Sequence, residues 1–445
     1  MLKNTRIENK ISLKKLLKDT LKDNNDSKFQ TLNLNNSKVE LIYIKTLCDT
    51  TKIQELLIKS FFELENVDKF EAYVKSLEGF TVYKNDRDIV NKLYDGHVVI
   101  YTATNVLLIQ VRNYENLGVL QATTESTIQG PQSALSEDLI INLNLIRHRY
   151  HKTSLMNESL NPVGTTNQIK IEILYDQSIV DNNLVKKVKE KISTIDKDVI
   201  QGVGEVQNEI KKGKALFPTY MVTERPDRIA YNLSKGKVII LLEGSPFALI
   251  VPAVFFDFMS SMEDLYQTFW ISKFLIILRY IGLFISISLP ALYVAITAFN
   301  PELFRVQLAL SIAGSRIAVP YPAYLEVLFM LVIMEMLIES SIRLPKTIGP
   351  TATTVGGLIL GQASTDAGLV SNIMIIIVAA VAISNFVIPL NEMGSAIRVL
   401  KYILLLVATS FGTIGVVVGL LGILLYLIHL DSFDEPFLRI TGSEK

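Results

Sequence analysis

The sequence predicts a protein of two parts, an α/β amino-terminal region and an all-α carboxyl-terminal region that crosses a membrane about four times. About four-fifths of the 44 Lys and Arg residues and of the 44 Asp and Glu residues precede Phe274. Charged side chains avoid hydrocarbon, because burying one there costs a few kcal/mol or more. Before Phe274, β-branched runs of strand length alternate with amphipathic helical patterns, which indicates an α/β fold.

Residues 1–38 are predicted to form a basic, flexible segment, with a short amphipathic helix around Ile11–Leu21 and then a polar linker. A solvated tail is favoured over a membrane-surface or partner contact, which stays open as the alternative. The segment has no unbroken apolar stretch and no small-residue cleavage site, so we expect no secretory signal and a cytoplasmic amino-terminal region. Cys48 is the single cysteine, which excludes an internal disulfide and a cysteine-based metal cluster.

Residues 39–153 are predicted to form a first α/β subdomain. After Gly130-Pro131, apolar residues recur at spacings of three and four, and three basic side chains follow, as suits the carboxyl terminus of a helix. Three β-branched or apolar runs have the length of strands. They are Val39–Lys45, His97–Ala103 and Val106–Val111.

Residues 154–273 are predicted to form a second α/β subdomain with a juxtamembrane aromatic segment. Ile169–Tyr175 has the pattern of a strand, and Val180–Ile195 that of a basic amphipathic helix. Two short apolar runs flank Glu243-Gly244-Ser245-Pro246, which is a four-residue hairpin signal. Aromatic residues then follow up to Trp270, and such clusters favour the boundary between membrane and water.

Residues 274–430 are predicted to form the transmembrane domain, followed by a tail at 431–445. Four spans place both chain ends on one side, the cytoplasmic side, whereas a fifth full span at Thr351–Leu369 would move the carboxyl terminus outside. Arg398 and Lys401 are placed in the loop between the last two spans. The predicted spans and the interfacial helix after the first of them are Phe274–Phe299, Leu303–Val319 (interfacial), Ala323–Ile342, Val370–Pro389 and Tyr402–Leu430.

Polar residues are concentrated in the second span and in the segment after it. Glu335 and Glu339 share one helix face, and acidic residues inside a span face protein or water. An ion pair with Arg343 is the alternative for Glu339, and a polar contact between subunits is the alternative for Glu335. Thr347–Ala367 holds proline, glycines and polar residues, so we expect a re-entrant or half-helix segment there. The candidate pore or gating residues are Glu335, Glu339, Gly356, Gly357, Gln362 and Asp366.

Four glycines spaced three or four residues apart form a stripe on the last predicted span. Such a stripe lets a second helix approach closely, and plain helix packing is favoured over a pore wall. The candidate helix-packing residues are Gly412, Gly415, Gly419 and Gly422.

The sequence contains no recognisable catalytic or nucleotide-binding motif. Gly202 and Gly204 lack the third glycine of a dinucleotide loop, so a plain turn is favoured. His148 and His151 have the spacing of metal ligands, but without a nearby carboxylate or cysteine a solvated helix end is favoured. We therefore expect no enzymatic activity, no cofactor and no catalytic or metal site. Balanced charge and the lack of nucleic-acid motifs argue against a nucleic-acid partner.

Three blocks of residues stand out between Glu125 and Pro389, each weak alone but specific in combination. The first block is Gly130-Pro131, Glu137, Leu139, Asn142, Leu145–Arg147 and Arg149. The second is Pro218–Tyr220, Thr223–Arg228, Gly236, Val238, Gly244, Pro246–Ile250, Pro252 and Glu263-Asp264. The third is Glu339, Ile342–Pro345, Ile348–Pro350, Gly361–Ala363 and Ala367–Ser371.

In this order the three blocks resemble the A subunit of the GerA-type nutrient germinant receptors of endospore-forming bacteria. Two positions depart from the family pattern: Gln129 stands where arginine is usual, and Leu135 where phenylalanine is usual. The resemblance implies a subunit in the spore inner membrane that works with a transporter-like B subunit and a lipoprotein C subunit. It also implies a nutrient response that releases ions, with A subunits forming a ring-like channel.

Two other function classes stay open beside a ligand-gated ion channel. A membrane-anchored scaffold or signalling subunit would need no pore, and the acidic residues within the spans count mildly against it. A secondary transporter is disfavoured, because four spans are few and no internal repeat is visible. The sequence assigns no residue as a nutrient ligand.

Overall fold

The computed structural model divides the chain into two compact units. The first comprises Met1–Thr127, Pro131–Gly213 and Tyr220–Pro252, and the second comprises Ile128–Gly130, Lys214–Thr219 and Ala253–Lys445. The residues that the structure describes are 13–18, 21, 24–34, 37–82, 86–103, 105–112, 120–125, 127–210, 215–344 and 348–439.

The first unit begins with an antiparallel sheet of five strands, in the order β1-β2-β4-β5-β3. The strands are β1 (Ser27–Leu34), β2 (Ser37–Ile44), β3 (Phe80–Thr81), β4 (His97–Tyr101) and β5 (Val106–Gln110). Residues 13–18 are helical. Further described helical elements are α1, made of the consecutive segments Thr50–Lys52, Ile53–Lys59 (a π-helix) and Ser60–Leu64; α2 (Val67–Ser76); and α3 (Asp86–Tyr94). Alternate residues of β4 and β5 belong to two separate apolar clusters, so both faces of the sheet are buried.

The predicted flexible amino-terminal segment is in large part ordered, and the expected polar linker is wrong. Leu13, Leu17 and Leu21 are buried in the apolar cluster that contains α3. Ser27–Leu34 is a strand that pairs with β2 along its whole length. The alternation of polar and apolar residues in this strand is weak, because it forms the edge of the sheet. Residues 11, 12, 19 and 20 of the predicted helix lie outside the described residues.

The second sheet of the first unit is also antiparallel, in the order β10-β12-β11-β9-β8. Two short strands, β6 (Leu120–Gln121) and β7 (Ser133–Ala134), pair separately. The other strands are β8 (Leu155–Ser159), β9 (Ile171–Asp176), β10 (Met221–Thr223), β11 (Val238–Leu242) and β12 (Ala248–Val251). The helices are α4 (Leu139–Arg149), α5 (Asn182–Ser193), α6 (Val203–Ile210) and α7 (Pro226–Leu233). The α/β prediction for the amino-terminal region is confirmed, including the β11–β12 hairpin.

The second unit is mainly helical, as predicted. By length and composition alone, α9 and the whole of α14 are apolar enough to cross a membrane, although α14 reverses direction within its length. Its helices are α8 (Phe255–Phe258), α9 (Phe269–Phe299), α10 (Val306–Ser315), α11 (Ala323–Arg343), α12 (Gly349–Asp366), α13 (Asn372–Phe386) and α14 (Asn391–His429). Short 3₁₀ turns occupy Met262–Leu265 and Pro301–Leu303, and a two-stranded hairpin consists of β13 (Asp431–Ser432) and β14 (Glu435–Pro436).

The segment predicted at Thr347–Ala367 is not broken in its described part, because Gly349–Asp366 is one continuous helix. Whether this helix is a half-helix or re-entrant segment stays a prediction. The glycines Gly356, Gly357 and Gly361 keep right-handed helical backbone angles. The three glycines therefore do not interrupt the helix, although glycine is a weak helix former.

The expected single span at Tyr402–Leu430 is also wrong, because α14 turns back on itself at Gly412. This residue has φ 60° and ψ −140°, which side chains with a Cβ rarely adopt. A Cβ on Gly415 would lie 2.5 Å from the carbonyl oxygen of Val407, whereas eight residues of straight helix would separate them by about 12 Å. Residues 391–411 and 413–429 therefore form a helical hairpin.

The two ends of the helical region meet at one place in the second unit, which we name the collar: residues 215–219 and 253–268. Helix α9 begins directly after it. The tail that follows α14 returns to it: Ser432 Oγ donates to the carbonyl of Thr219 at 2.6 Å and accepts from the N–H of Ala253 at 3.1 Å. The fully buried ring of Phe437 packs among three collar rings. These are Phe217, Phe255 and Phe258.

Candidate functional site

An ion cluster joins α11 to the first half of α14. Glu335 accepts from Lys401 Nζ at 2.7 Å through one carboxylate oxygen and from Arg398 Nε at 2.8 Å through the other. The Lys401 side chain is fully buried. The predicted loop position of Arg398 and Lys401 is wrong, because α14 begins at Asn391 and carries both on one face. Glu335 therefore holds two helices together within one chain.

The ion cluster lies near the middle of both helices. At 1.5 Å per residue, Lys401 is about 15 Å from the start of α14 and about 16 Å from the turn at Gly412. Glu335 is about 18 Å from the start of α11 and about 12 Å from its end. A buried charge far from a helix end, such as that of Lys401, is stable only when it is paired.

Glu339 sits one turn further along α11 in a different environment. It accepts from Arg343 Nη2 at 2.8 Å, as the spacing predicts, and both side chains are exposed. An exposed pair of this kind contributes little to stability.

Helix α12 packs through its small residues. A Cβ on Gly349 would meet Ser341 of α11, one on Gly356 would meet Leu337 of α11, and one on Gly361 would meet Ile375 of α13. Gly357 has no such neighbour within 4 Å. One face of α12 thus approaches α11 and α13 closely, as small residues allow.

The other side of α12 is exposed and carries a polar stripe. Four polar residues, Thr351, Thr354, Gln362 and Asp366, lie along one face at helical spacings, with the apolar Leu358 between them. All five are exposed. Val355 and Ile359, beside the stripe, are 49% and 60% exposed. This helix therefore offers both apolar and polar surface that the chain itself does not cover.

A buried carboxylate at the far end from the collar was not identified from the sequence as a site. Glu326 is 1% exposed and accepts from both the N–H (2.7 Å) and the Oγ (2.6 Å) of Ser371, which caps α13. Arg316 lies 3.3 Å from its second oxygen. Ser371 and Arg316 lie 45 and 10 residues from Glu326 along the chain. Neither separation matches a helical period, so the sequence does not indicate that these residues are in contact. The cluster fixes α11, α13 and the turn after α10.

The predicted glycine stripe of α14 is used largely inside the hairpin. Gly412 lies at the turn, against the ring of Phe299. Gly415 and Gly419 face the first half of α14, at Val407 and Leu404, whereas Gly422 has no neighbour within 4 Å. Whether another chain packs on this stripe stays a prediction.

In the first unit, the charged residues of the Thr223–Arg228 block hold a loop in place. Arg225 is fully buried, and its guanidinium donates to the carbonyls of Glu125 (2.7 Å) and Pro131 (2.9 Å). Asp227 accepts from the same guanidinium at 2.7 and 3.0 Å. This part of the sequence block is therefore accounted for by loop anchoring.

The pKa values of two neighbouring carboxyl groups, Glu125 and Glu224, are shifted in opposite directions. Burial raises the pKa of Glu125, and Arg228 and Arg225 only partly offset it. Burial also acts to raise the pKa of Glu224, but hydrogen bonds from Thr124 and the loop N–H groups outweigh it, so its pKa is lowered. The loop thus binds Glu224 in its charged form.

No group of three or more His, Cys, Asp or Glu side chains that could hold a metal ion is found in the described part of the chain. His148 Nδ1 lies 2.7 Å from Arg112 Nη2, and burial with this cation lowers the pKa of His148. A cavity of about 440 Å³ in the first unit is lined by carboxylates and lysines, including Asp26, Lys170 and Glu172. Its mixed lining could hold a small polar molecule.

Comparison with known proteins places the chain among spore germination proteins. The family model of the Bacillus/Clostridium GerA spore germination protein matches residues 15–444. Spore germination protein GerLA of Bacillus cereus is 33% identical over 441 residues, covering 96% of this chain and 89% of that protein. Spore germination protein KA of Bacillus subtilis (strain 168) is 34% identical over 407 residues, covering 89% of this chain and 75% of that protein.

A crystal structure of the N-terminal domain of the A subunit of the Bacillus megaterium spore germinant receptor GerK3 also matches, with a TM-score of 0.41 and 23% identity. The match covers 54% of this chain and 93% of that domain. With a family model that spans almost the whole sequence and relatives above 30% identity, the chain belongs to the GerA family of spore germination proteins.

Proposed function

We propose that this protein is the membrane subunit of a nutrient-responsive spore germination receptor, and that several copies form a ligand-gated ion channel lined by α12. The observation that carries the proposal is the exposed polar stripe of α12, from Thr351 to Asp366. Polar side chains are costly against lipid, so such a stripe requires water or protein.

A ring of copies meets this requirement. In a cyclic assembly, equivalent helices lie at equal distances from the axis, so one stripe per copy encloses a common path. The Asp366 side chains would then form a ring of carboxylates at one mouth, which attracts cations. The exposed apolar residues beside the stripe, Val355 and Ile359, supply the contact between copies.

The working complex includes other receptor subunits. We propose a transporter-like B subunit and a lipoprotein C subunit as partners, in the spore inner membrane or cell membrane. The amino-terminal region faces the cytoplasm. The return of the tail to the collar supports an even number of crossings, which keeps the carboxyl terminus on that same side.

A scaffold or signalling subunit without its own pore is the alternative, and a secondary transporter is less favoured. A scaffold has no need of an exposed polar stripe in a helix surrounded by apolar ones. The two readings differ in one observable, because only the channel conducts.

Reconstitution of the complex in planar bilayers tests the proposal. Assembled complexes of this chain with its receptor partners are expected to carry current when nutrient is added and to stay silent without it. Assembled complexes that bind nutrient but never conduct would contradict the channel proposal and favour a scaffold or signalling subunit.

A further inference from the structure

A short loop of the second unit presents an unusually bare apolar side chain. Ile128 is 88% exposed, more than any other large apolar side chain in the described residues. Residues 127–131, Thr-Ile-Gln-Gly-Pro, carry no charge. One exposed isoleucine is ordinary on a protein surface, and it points to a contact outside the chain only when it belongs to a larger exposed apolar patch.

The loop tip is fixed next to the start of α9. The N–H groups of Ile128 and Gln129 donate to one carboxylate oxygen of Glu263, at 2.9 and 3.4 Å. The other oxygen of Glu263 accepts from Gln267 at 3.0 Å. Glu263 belongs to the 3₁₀ turn Met262–Leu265, four residues before α9 begins. The tip is therefore ordered and its backbone donors are satisfied.

The surroundings of the tip are exposed and apolar as well. Leu265 is 50%, Tyr266 38%, Phe269 64% and Trp270 81% exposed. We name these four residues with Ile128 the apolar shelf. Beyond the exposed Lys273, further apolar side chains of α9 are exposed: Phe274, Ile277 and Ile281 are 64%, 58% and 49% exposed.

We propose that the apolar shelf lies in the membrane interface and that Ile128 inserts between lipid headgroups at the collar. The inference rests on the proposed membrane position of α9. It extends that position to a loop more than 130 residues earlier in the chain, which hydropathy along the sequence does not mark.

Three features favour lipid over a second protein as the occupant. The shelf adjoins the face of a helix whose apolar surface requires hydrocarbon. Trp and Tyr side chains prefer the boundary between headgroups and acyl chains, where a ring is buried and its polar atom stays wet. A loop at that depth needs its N–H groups satisfied, and Glu263 supplies this.

Depth-dependent fluorescence quenching tests the proposal directly, because Trp270 is the single tryptophan. The full-length chain is reconstituted in vesicles whose lipids carry bromine at a defined acyl position. Native Trp270 serves as the reference for membrane insertion. Ile128→Trp in a Trp270→Phe background then reports the loop tip. Val82→Trp in the same background is the control, since Val82 is 74% exposed in the first unit.

The proposal predicts that tryptophan at position 128 loses at least half of its fluorescence with lipids brominated near the headgroup and less with bromine deep in the chain. The Val82→Trp control is expected to stay unquenched by lipid and open to iodide. Quenching of Trp270 without quenching at position 128 would overturn the inference while membrane insertion stands. Lipid-insensitive but blue-shifted emission at position 128 would also overturn it and point to a protein contact. Failure to quench Trp270 would instead refute the membrane position of α9.

Discussion

Helices α11 and α12 lie side by side but differ in the environment of their polar residues. Two acids of α11 are paired within the chain: the buried Glu326 with Ser371 and Arg316, and the half-buried Glu335 with Arg398 and Lys401. On α12, by contrast, the polar residues Thr351, Thr354, Gln362 and Asp366 are exposed, while Gly349, Gly356, Gly361 and Ser364 face the rest of the unit.

This difference separates two roles that the sequence alone did not distinguish. A carboxylate whose oxygens are occupied by buried cations stabilises the packing of helices, and removing it leaves unpaired charge. A polar side chain that the chain leaves uncovered is free to meet water or another subunit. We therefore expect the α11 acids to act on assembly and the α12 stripe to act on conduction.

The largest effect is expected from Glu335→Leu, which leaves Lys401 and Arg398 without a counter-ion. Breaking a buried ion pair from one side costs about 3–5 kcal/mol. The variant should lose most of its thermal stability in detergent and accumulate poorly. Adding Lys401→Met should restore part of the stability, because it removes the unpaired buried charge. A fully stable Glu335→Leu variant would contradict the structural role.

Asp176 in the first unit is another carboxylate whose oxygens accept hydrogen bonds within the chain. Burial acts to raise its pKa, but hydrogen bonds from Ser154, Ser178 and Tyr150 outweigh it, so the pKa is lowered. The stability that Asp176 supplies is therefore fully present above its unfolded pKa of 3.8 and is lost progressively as pH falls from that value towards the lower pKa of the folded state. Removing its bonds should cost about 1–3 kcal/mol at neutral pH.

Unfolding curves of the wild type and of Asp176→Asn check this prediction. The wild type should lose stability more steeply than the variant between about pH 5 and about pH 3. Parallel curves over that range would show that Asp176 is not held in its charged form.

Substitutions in the α12 stripe should change function with little change in stability. Gln362→Leu is exposed and should shift the free energy of unfolding by less than about 0.5 kcal/mol. Under the channel proposal it should reduce conductance severalfold, and Asp366→Asn should weaken the preference for cations. Normal currents from assembled complexes of both variants would remove α12 from the ion path.

The smallest effect is expected from Glu339→Gln. The pair with Arg343 is exposed, so the variant should match the wild type in stability and in nutrient-triggered current. A strong loss of current in this variant would show that Glu339 takes part in conduction or gating.

Much of the fold could be read from the sequence, because strand runs such as Val98–Tyr101 and the β11–β12 hairpin carry their own local signals. The partners of Glu335 could not be predicted from the sequence. Arg398 and Lys401 lie more than 60 residues away along the chain, and charged residues next to an apolar stretch usually indicate a loop. The turn at Gly412 was missed for a related reason. The sequence does not distinguish a glycine at a chain reversal from a glycine in a packed helix. The reversal becomes evident only in the structure, where the carbonyl oxygen of Val407 lies close to Gly415.

Cys48 makes the decisive experiment practical. Burial raises the pKa of its thiol to about 12, and the side chain is 1% exposed. The native thiol should therefore not react with charged methanethiosulfonate reagents at neutral pH until the protein unfolds. Rapid labelling of the folded wild type would show that this region opens.

The most direct test of the central claim is cysteine accessibility along α12 and α11 in conducting complexes. With Cys48→Ala as background, single cysteines are placed at Leu358 and Gln362 on the stripe and at Leu331 on the packed face of α11. The account predicts that a charged methanethiosulfonate reagent blocks nutrient-triggered current at the two α12 positions and leaves Leu331→Cys unaffected. Block at Leu331→Cys, with unreactive cysteines on the α12 stripe, would contradict it.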